Sequence, residues 1–250
     1  MTAKAAQAEA LSWRERVFPK LAWASVKGTL LLGLFAGIYW LWLQSAVWLP
    51  VKQILVAGAL QEVSSAELRD VVKPLLQGGF IRMDVRQVRD AVEAMPWVSR
   101  VTVRRQWPDT LALEVEEQRL LARWHDDGLV NLGGELFYPA KIEVDASVPR
   151  FEGIDGLSYE MAKHYQRYQQ ILSEVGLSIV AIRVSERHAW VVELDNEIEL
   201  VLGREPQDQR IQRFINVYRT DLAEKTKQIS RVDLRYSNGF SIRWKENKVG

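Results

Sequence analysis

The feature that most constrains this chain is a run of 22 residues without a charged side chain, from Gly28 to Leu49. As a helix this run would be about 33 Å long at ~1.5 Å per residue, and the hydrocarbon core of a bilayer is roughly 30 Å thick. No second run of comparable length follows it. The sequence therefore predicts a single transmembrane helix over 28–49. Gly33 and Gly37 form a GxxxG pair that suits helix packing, although glycine is also simply common in membrane helices.

The charges on either side of this run predict its orientation. Residues 1–27 form a short basic tail with five Lys or Arg side chains against two Glu. The rest of the chain is slightly acidic, with 28 basic and 30 acidic side chains out of totals of 33 and 32. Short basic segments stay in the cytoplasm, so the residues after Pro50 should lie outside. A cleaved secretory signal and a buried soluble helix are the alternatives; the long run without a good cleavage site favours an uncleaved anchor.

The part after the membrane helix should fold in water. The whole chain is 48% hydrophobic and 26% charged, which is too apolar for a disordered protein. It contains no cysteine, which excludes disulfide bonds, thiolate metal sites and a cysteine nucleophile. About 200 residues are enough for two modest domains.

Residues 51–119 carry helix and strand patterns that predict a small α+β domain. A capping box at Ser64 starts a first helix, which Pro74 should kink or end near Lys73. A second helix follows and finishes before Pro96. Period-two alternation then predicts two strands on either side of a Trp-Pro-Asp turn. The order strand, helix, helix, strand, strand indicates two helices on one face of a three-stranded sheet.

Residues 120–244 are mainly short alternating runs joined by tight polar turns, and they predict a mixed β domain. Two helices interrupt the strands, one over about 159–175 and one that starts near Pro206. The pair Gly133-Gly134 is expected to form a hairpin turn, because a phosphate-binding loop would have to open a helix. Residues 245–250 are expected to be a flexible tail.

No pattern in the chain predicts a catalytic, metal or cofactor site. The three histidines lack the spacing of zinc ligands, and nucleotide-binding and nucleophile motifs are absent. Alternating carboxylates between Glu193 and Glu199 are the best candidates for a catalytic pair, but solvent-facing strand positions explain them without catalysis. Because the external part is slightly acidic, nucleic acid is not an expected partner. Without a catalytic or cofactor pattern, a small-molecule substrate is not expected either.

The last predicted strand is the best candidate for a binding site. Residues 231–236 and 240–244 form two alternating runs around an Asn-Gly turn. A last strand frequently lies at a sheet edge, where free backbone groups can pair with a strand of a partner. Apolar anchors along this segment are Tyr236, Phe240, Ile242 and Trp244. The alternative, that these side chains only fill the core of the domain, explains one face of the strand more easily than both.

In the order of these features the chain resembles the bacterial FtsQ/DivIB family of cell-division proteins. The resemblance covers a basic cytoplasmic tail, one membrane helix, a POTRA domain and a β domain. The most specific matches are PWVSRVTVRRQWPDTLALEVEEQ (96–118), ARW (122–124), LVLGR (200–204) and VDLRYSNGFSIRW (232–244). Four such segments in the right order behind a membrane helix make the resemblance strong.

The resemblance implies a non-catalytic scaffold without a cofactor, in the inner membrane at the division septum, that links early and late division proteins. It further implies that the periplasmic β domain binds FtsB and FtsL, with a strand of FtsB added to the final strand. The family's partner-binding segment corresponds to Tyr236, Asn238, Gly239 and Trp244, with Ser237, Phe240 and Ile242 between them. Arg187 matches a basic position that pairs with an acidic residue of FtsB.

The POTRA resemblance also implies a surface at which a partner docks. POTRA domains commonly bind extended polypeptide, and in this family the domain is associated with recruitment to the septum. We expect the edge of its sheet over residues 111–117.

One rival interpretation is a POTRA-bearing component of outer-membrane protein assembly or secretion, which predicts tandem POTRA domains. The other rival is a wall-active enzyme, which predicts a cleft with two carboxylates or a metal.

Overall fold

The computed structural model describes residues 26–44, 49–204 and 208–245. These residues form two compact units in an α+β fold, the class that the sequence predicts. The first unit holds the described residues up to Gly58, together with Ser64–Val92 and Val101–Val115. The second holds Ala59–Val63, Glu93–Arg100 and the described residues from Glu116 onward.

Helix α1 spans Val26–Gln44 and fits a single-pass membrane protein. It is 19 residues long with a mean hydropathy of 1.5, and the chain itself buries none of it. Its length and composition therefore suit a bilayer rather than a protein core. The predicted span continued to Leu49, but residues 45–48, like the tails 1–25 and 246–250, lie outside the described residues.

The region from residue 53 to residue 117 contains three strands and three α-helices. In chain order they are β1 (Gln53–Ala57), α2 (Ser65–Val72), α3 (Gly79–Arg82), α4 (Val85–Glu93), β2 (Val98–Gln106) and β3 (Thr110–Glu117). The predicted capping box is present, since Ser64 Oγ accepts from the Glu67 N–H at 3.1 Å and the Glu67 carboxylate accepts from the Ser64 N–H at 3.0 Å. As predicted, α2 ends before Pro74. The four-residue helix α3 was not predicted.

The three strands form one sheet in the order β1-β3-β2. β1 runs parallel to β3 with Ile54 opposite Leu111 and Val56 opposite Leu113. The expectation that residues 111–117 form the sheet edge was therefore wrong, because β3 is the central strand and β1 and β2 are the edges. The parallel partner of β3 comes from more than fifty residues earlier, and no local pattern reports such a pairing.

The second unit is built on a nine-stranded mixed sheet with two α-helices. In chain order the elements are β4 (Leu120–Trp124), β5 (Gly128–Asn131), β6 (Leu136–Phe137), β7 (Arg150–Glu152), α5 (Ser158–Ser173), β8 (Ile179–Val184), β9 (Trp190–Leu194), β10 (Glu199–Gly203), α6 (Asp208–Val217), β11 (Ile229–Asp233) and β12 (Ser241–Trp244). The sheet order is β12-β11-β10-β9-β8-β7-β4-β5-β6. The short strand β7 was not predicted. Pro206, the predicted helix start, lies outside the described residues.

One hydrophobic core joins this sheet to both helices. The predicted apolar stripe of α6 is confirmed, since Ile211, Phe214 and Ile215 are fully buried. Tyr168 and Leu172 of α5 are buried in the same core, together with apolar residues of β8 to β11. The crossover through α6 makes β10 and β11 parallel, whereas β11 and β12 are antiparallel.

The predicted hairpin turn at Gly133-Gly134 is confirmed between β5 and β6. The Gly134 N–H donates to the Asn131 carbonyl at 2.9 Å, and the backbone of Gly134 has φ +84°. A Cβ added at Gly134 would lie 2.6 Å from the Cα of Tyr159. Both the positive φ and the close approach of the α5 backbone therefore require glycine here.

Candidate functional site

Strand β12 lies at one end of the nine-stranded sheet, as the sequence predicts for a last strand. It pairs with β11 through Trp244 opposite Ile229, Ile242 opposite Val232 and Ser241 opposite Asp233. Within the described ranges no strand pairs with its other side. The outer side of β12 is thus an open edge of the sheet.

The backbone groups of β12 divide between this open edge and β11. The Lys245 N–H donates to the Gln228 carbonyl at 2.6 Å, and the Arg243 carbonyl accepts from Ser230 Oγ at 3.0 Å. Odd-numbered residues therefore direct their backbone groups toward β11. Because successive residues of a strand alternate in direction, Ile242 and Trp244 direct their N–H and C=O groups to the open side.

The four predicted apolar anchors divide into two pairs. Phe240 and Ile242 are partly buried and pack against the core of the domain. Tyr236 and Trp244 remain 57% and 47% exposed. The core-filling interpretation is therefore correct for Phe240 and Ile242, and only Tyr236 and Trp244 present large apolar surfaces to solvent.

The segment before β12 is a loop over 234–240, wider than the predicted turn. The Leu234 N–H donates to the Val201 carbonyl at 2.9 Å, so this residue continues the pairing with β10 instead of facing β12. Arg235 then donates to the Asp233 carboxylate from its backbone N–H and its guanidinium, at 2.6 to 3.1 Å. The hydrogen bond from the Arg235 guanidinium group lowers the pKa of the Asp233 carboxylate below its ordinary value. This pair turns the chain out of the strand.

Arg213 on α6 holds the same loop from outside. Its Nη1 donates to the carbonyl of Tyr236 at 2.9 Å and to that of Gly239 at 3.2 Å. Two carbonyls bound by one guanidinium group fix the shape of the loop between them. No local pattern indicates this role, because Arg213 is 23 residues away from Tyr236 and lies in an ordinary helical pattern.

Ser237 and Asn238 lie between the two bound carbonyls, and both are exposed. A Cβ added at Gly239 would meet no atom within 4 Å in this chain. The free protein therefore does not need glycine at this position for space.

Arg187 is exposed in the tight turn between β8 and β9. This turn is closed by hydrogen bonds from the Ser185 N–H to the Ala189 carbonyl at 3.1 Å and from the His188 N–H to the Ser185 carbonyl at 2.8 Å. No ion pair involves the Arg187 guanidinium within the described part of the chain. Its charge is therefore available to a partner.

The strand register places Arg187 and the 234–240 loop at the same end of the sheet. Trp190, which follows the Arg187 turn, pairs with Gly203 at the end of β10. The same end of the sheet holds Asp233 and Ser241. β9 and β12 are three strand positions apart, roughly 14 Å at about 4.8 Å per strand. The predicted site residues thus form a surface from the Arg187 turn to the loop and along β12, with Trp244 at its far end.

The outer face of the sheet explains the alternating carboxylates. Arg183 Nη1 lies 3.0 Å from Glu193, and its Nη2 bonds to Glu199, which also lies 3.6 Å from Arg231. Arg231 and Arg243 are directly opposite each other on β11 and β12. Glu193 and Glu199 therefore act as ion-pair partners in this fold. Among the described residues no group of three His, Cys, Asp or Glu could hold a metal ion.

Two family models match the chain. Residues 49–118 match the FtsQ-type POTRA domain, and residues 122–235 match the C-terminal domain of cell division protein FtsQ/DivIB. The second match ends at residue 235, within the 234–240 loop and before β12, so it covers Arg187 and Arg213 but not Tyr236 or Trp244.

Several curated relatives extend over most of the chain, and each is a cell division protein FtsQ. The protein of Coxiella burnetii is 34% identical over 86% of this chain and 87% of its own length. That of Allochromatium vinosum is 35% identical over 88% of each chain. That of Vibrio cholerae is 33% identical over 86% of this chain and 83% of its own length. With this identity and coverage, behind an apolar helix and across both folded units, the chain belongs to the FtsQ/DivIB family of cell division proteins.

Proposed function

We propose that this protein is a non-catalytic scaffold of the division machinery at the septum. It would be held in the inner membrane by α1, with a cytoplasmic N-terminus and both folded units in the periplasm. The family membership and the apolar helix support this role, and so does the basic tail of residues 1–27. The match to cell division proteins along most of the chain favours this role over outer-membrane protein assembly.

The partners of this scaffold would be FtsB and FtsL, with FtsB adding a strand to β12. The observation that carries this proposal is the open edge of β12, where no strand of the described ranges pairs with the backbone groups of Ile242 and Trp244. Strand addition gives affinity through backbone hydrogen bonds and specificity through side chains at alternate positions. Trp244 and Tyr236 would supply the exposed aromatic contacts.

The charges along the surface favour an acidic partner. Arg187 stands at one end, and Arg243 lies on the edge strand opposite Arg231. Arg231 already has Glu199 at 3.6 Å, so a carboxylate on the added strand would pair with Arg243. A carboxylate farther along the partner would pair with Arg187.

Arg187→Glu and Trp244→Ala are expected to weaken binding of a purified FtsB–FtsL complex by about tenfold and about thirtyfold, respectively. The first change replaces an attraction by a repulsion, and the second removes an exposed aromatic contact. Titration of the full-length protein in nanodiscs measures both effects. Lys163→Glu and Tyr159→Ala are matched controls, because they make the same kinds of change at exposed positions of α5. Wild-type affinity in both site variants would contradict the proposed surface.

Arg213→Ala is expected to weaken the same binding by about tenfold while the free energy of unfolding falls by only about 1 kcal/mol. The change removes the two hydrogen bonds that shape the 234–240 loop but leaves the core residues of α6 in place. Gln212→Ala, one residue earlier and exposed, is the matched control. If affinity and stability both equal those of the control, the loop does not depend on this arginine.

A further inference from the structure

The turn between β2 and β3 lies beside the residues that leave the membrane helix. The backbone N–H groups of Lys52 and Gln53 donate to the Asp109 carbonyl at 2.9 and 3.4 Å. The Lys52 ammonium also lies 3.3 Å from the Asp109 carboxylate. Lys52 follows Leu49, the end of the uncharged run, by three residues, which span at most about 10 Å. The turn is therefore within about 10 Å of the end of that run.

Helix α3 contacts the same residues at the end of the uncharged run. The Phe80 N–H donates to the Leu49 carbonyl at 2.8 Å. The guanidinium carbon of Arg82 lies 4.6 Å from the centroid of the Trp42 ring, near the end of α1. Two separate segments of the first unit thus lie next to the point where the chain leaves the apolar helix.

Both segments expose large apolar side chains at this point. Trp107 in the turn is 67% exposed, although its ring meets buried Phe80 edge-on with centroids 4.8 Å apart. Ile81 in α3 is 41% exposed. Indole rings are enriched at the bilayer interface, where an apolar body and a polar N–H are both satisfied.

We propose that Trp107 and Ile81 form a membrane-docking surface, with Lys52 and Arg82 at the level of the lipid headgroups. The occupant is the leaflet from which the chain emerges, because the surface is continuous with the end of α1 through the contacts above. The long stems of these two basic side chains suit an interface at which the charged ends reach lipid phosphate groups. Docking would restrict rotation of the first unit about the residues that follow α1.

Spin labels on the full-length protein in vesicles of phosphatidylethanolamine and phosphatidylglycerol test this proposal. The chain has no cysteine, so Trp107→Cys, Ile81→Cys and Glu114→Cys each give one labelled site. Glu114 is exposed and pairs with Ala57, the last residue of β1, in the half of β3 that is remote from the turn. Nitroxides at 107 and 81 should collide more with dissolved oxygen than with a water-soluble nickel chelate, and the nitroxide at 114 should show the reverse.

A second measurement uses the variant Trp107→Phe, which leaves every other residue unchanged. Vesicles with brominated acyl chains should quench less tryptophan emission in Trp107→Phe than in the wild-type protein. Equal quenching of the two proteins would overturn the proposal. So would a nitroxide at 107 that is as accessible to the chelate as the one at 114, or one that is shielded from both collision partners, which would indicate burial against protein.

Discussion

Ile242→Pro is expected to weaken binding of the FtsB–FtsL complex by about 100-fold or more. The N–H of Ile242 faces the open side of β12, so proline there removes a donor to an added strand without breaking the pairing with β11. Losing that hydrogen bond and leaving the partner's carbonyl unsatisfied costs about 3 kcal/mol. Titration of the full-length protein in nanodiscs with the purified complex gives the dissociation constant.

Ile242→Ala is the control for this experiment, because it removes the packing of the side chain and retains the N–H. We expect the alanine variant to lose only a few-fold in affinity. The thermal unfolding midpoints of the two variants should be similar, which would show that proline has not displaced β12. If the proline variant binds within threefold of the alanine variant, strand addition at this edge is wrong, whatever the other variants of the surface show.

Gly134→Ala is expected to lower the free energy of unfolding by about 3 kcal/mol. About 1 kcal/mol comes from placing alanine at φ +84°, and the rest from the clash between its Cβ and the Tyr159 backbone. The atom in the way belongs to the backbone at the start of α5, so no side-chain rotation relieves the clash. Urea unfolding of a soluble fragment over residues 50–250, followed by circular dichroism, measures the change.

Gly156→Ala separates the two causes. Gly156 has φ +87°, but a Cβ added there would meet no atom within 4 Å. This variant should therefore lose only about 1 kcal/mol, the cost of the backbone conformation alone. Equal losses in the two variants would show that the start of α5 can shift away from residue 134 at no cost.

Local patterns were enough to predict the elements whose causes are local. The capping box at Ser64, the helix stop at Pro74 and the turn at Gly134 each depend on residues within a few positions of one another. The buried stripe of α6 follows in the same way from helical spacing. These features are therefore present in the sequence itself, before any tertiary contact is considered.

The failed expectations involve partners that are distant in the chain. The central position of β3 depends on β1, and the width of the 234–240 loop depends on Val201 and Arg213. Strand β7 has only three residues and gains its conformation from parallel neighbours on both sides. A period in the sequence cannot report contacts of this kind.

For the candidate site, the sequence predicted a terminal strand at the sheet edge but not how its side chains divide. An alternating apolar pattern marks Phe240, Ile242 and Trp244 alike, yet the first two face the core and the third is exposed. That division is set by tertiary packing, which the alternating pattern does not report. Arg213 was missed for the same reason, because its carbonyl partners become neighbours only after folding.

The opposed pair of Arg231 and Arg243 bears on the kinetics of assembly. Glu199, 3.6 Å from Arg231, balances the charge of that residue, so the guanidinium group of Arg243 supplies the positive potential at the rim where a partner must arrive. An acidic strand would be drawn to this rim before any backbone hydrogen bond forms, and dissolved ions would weaken the attraction. The rate at which the complex forms would then fall as the ionic strength rises, whereas its lifetime would depend on the backbone hydrogen bonds along β12.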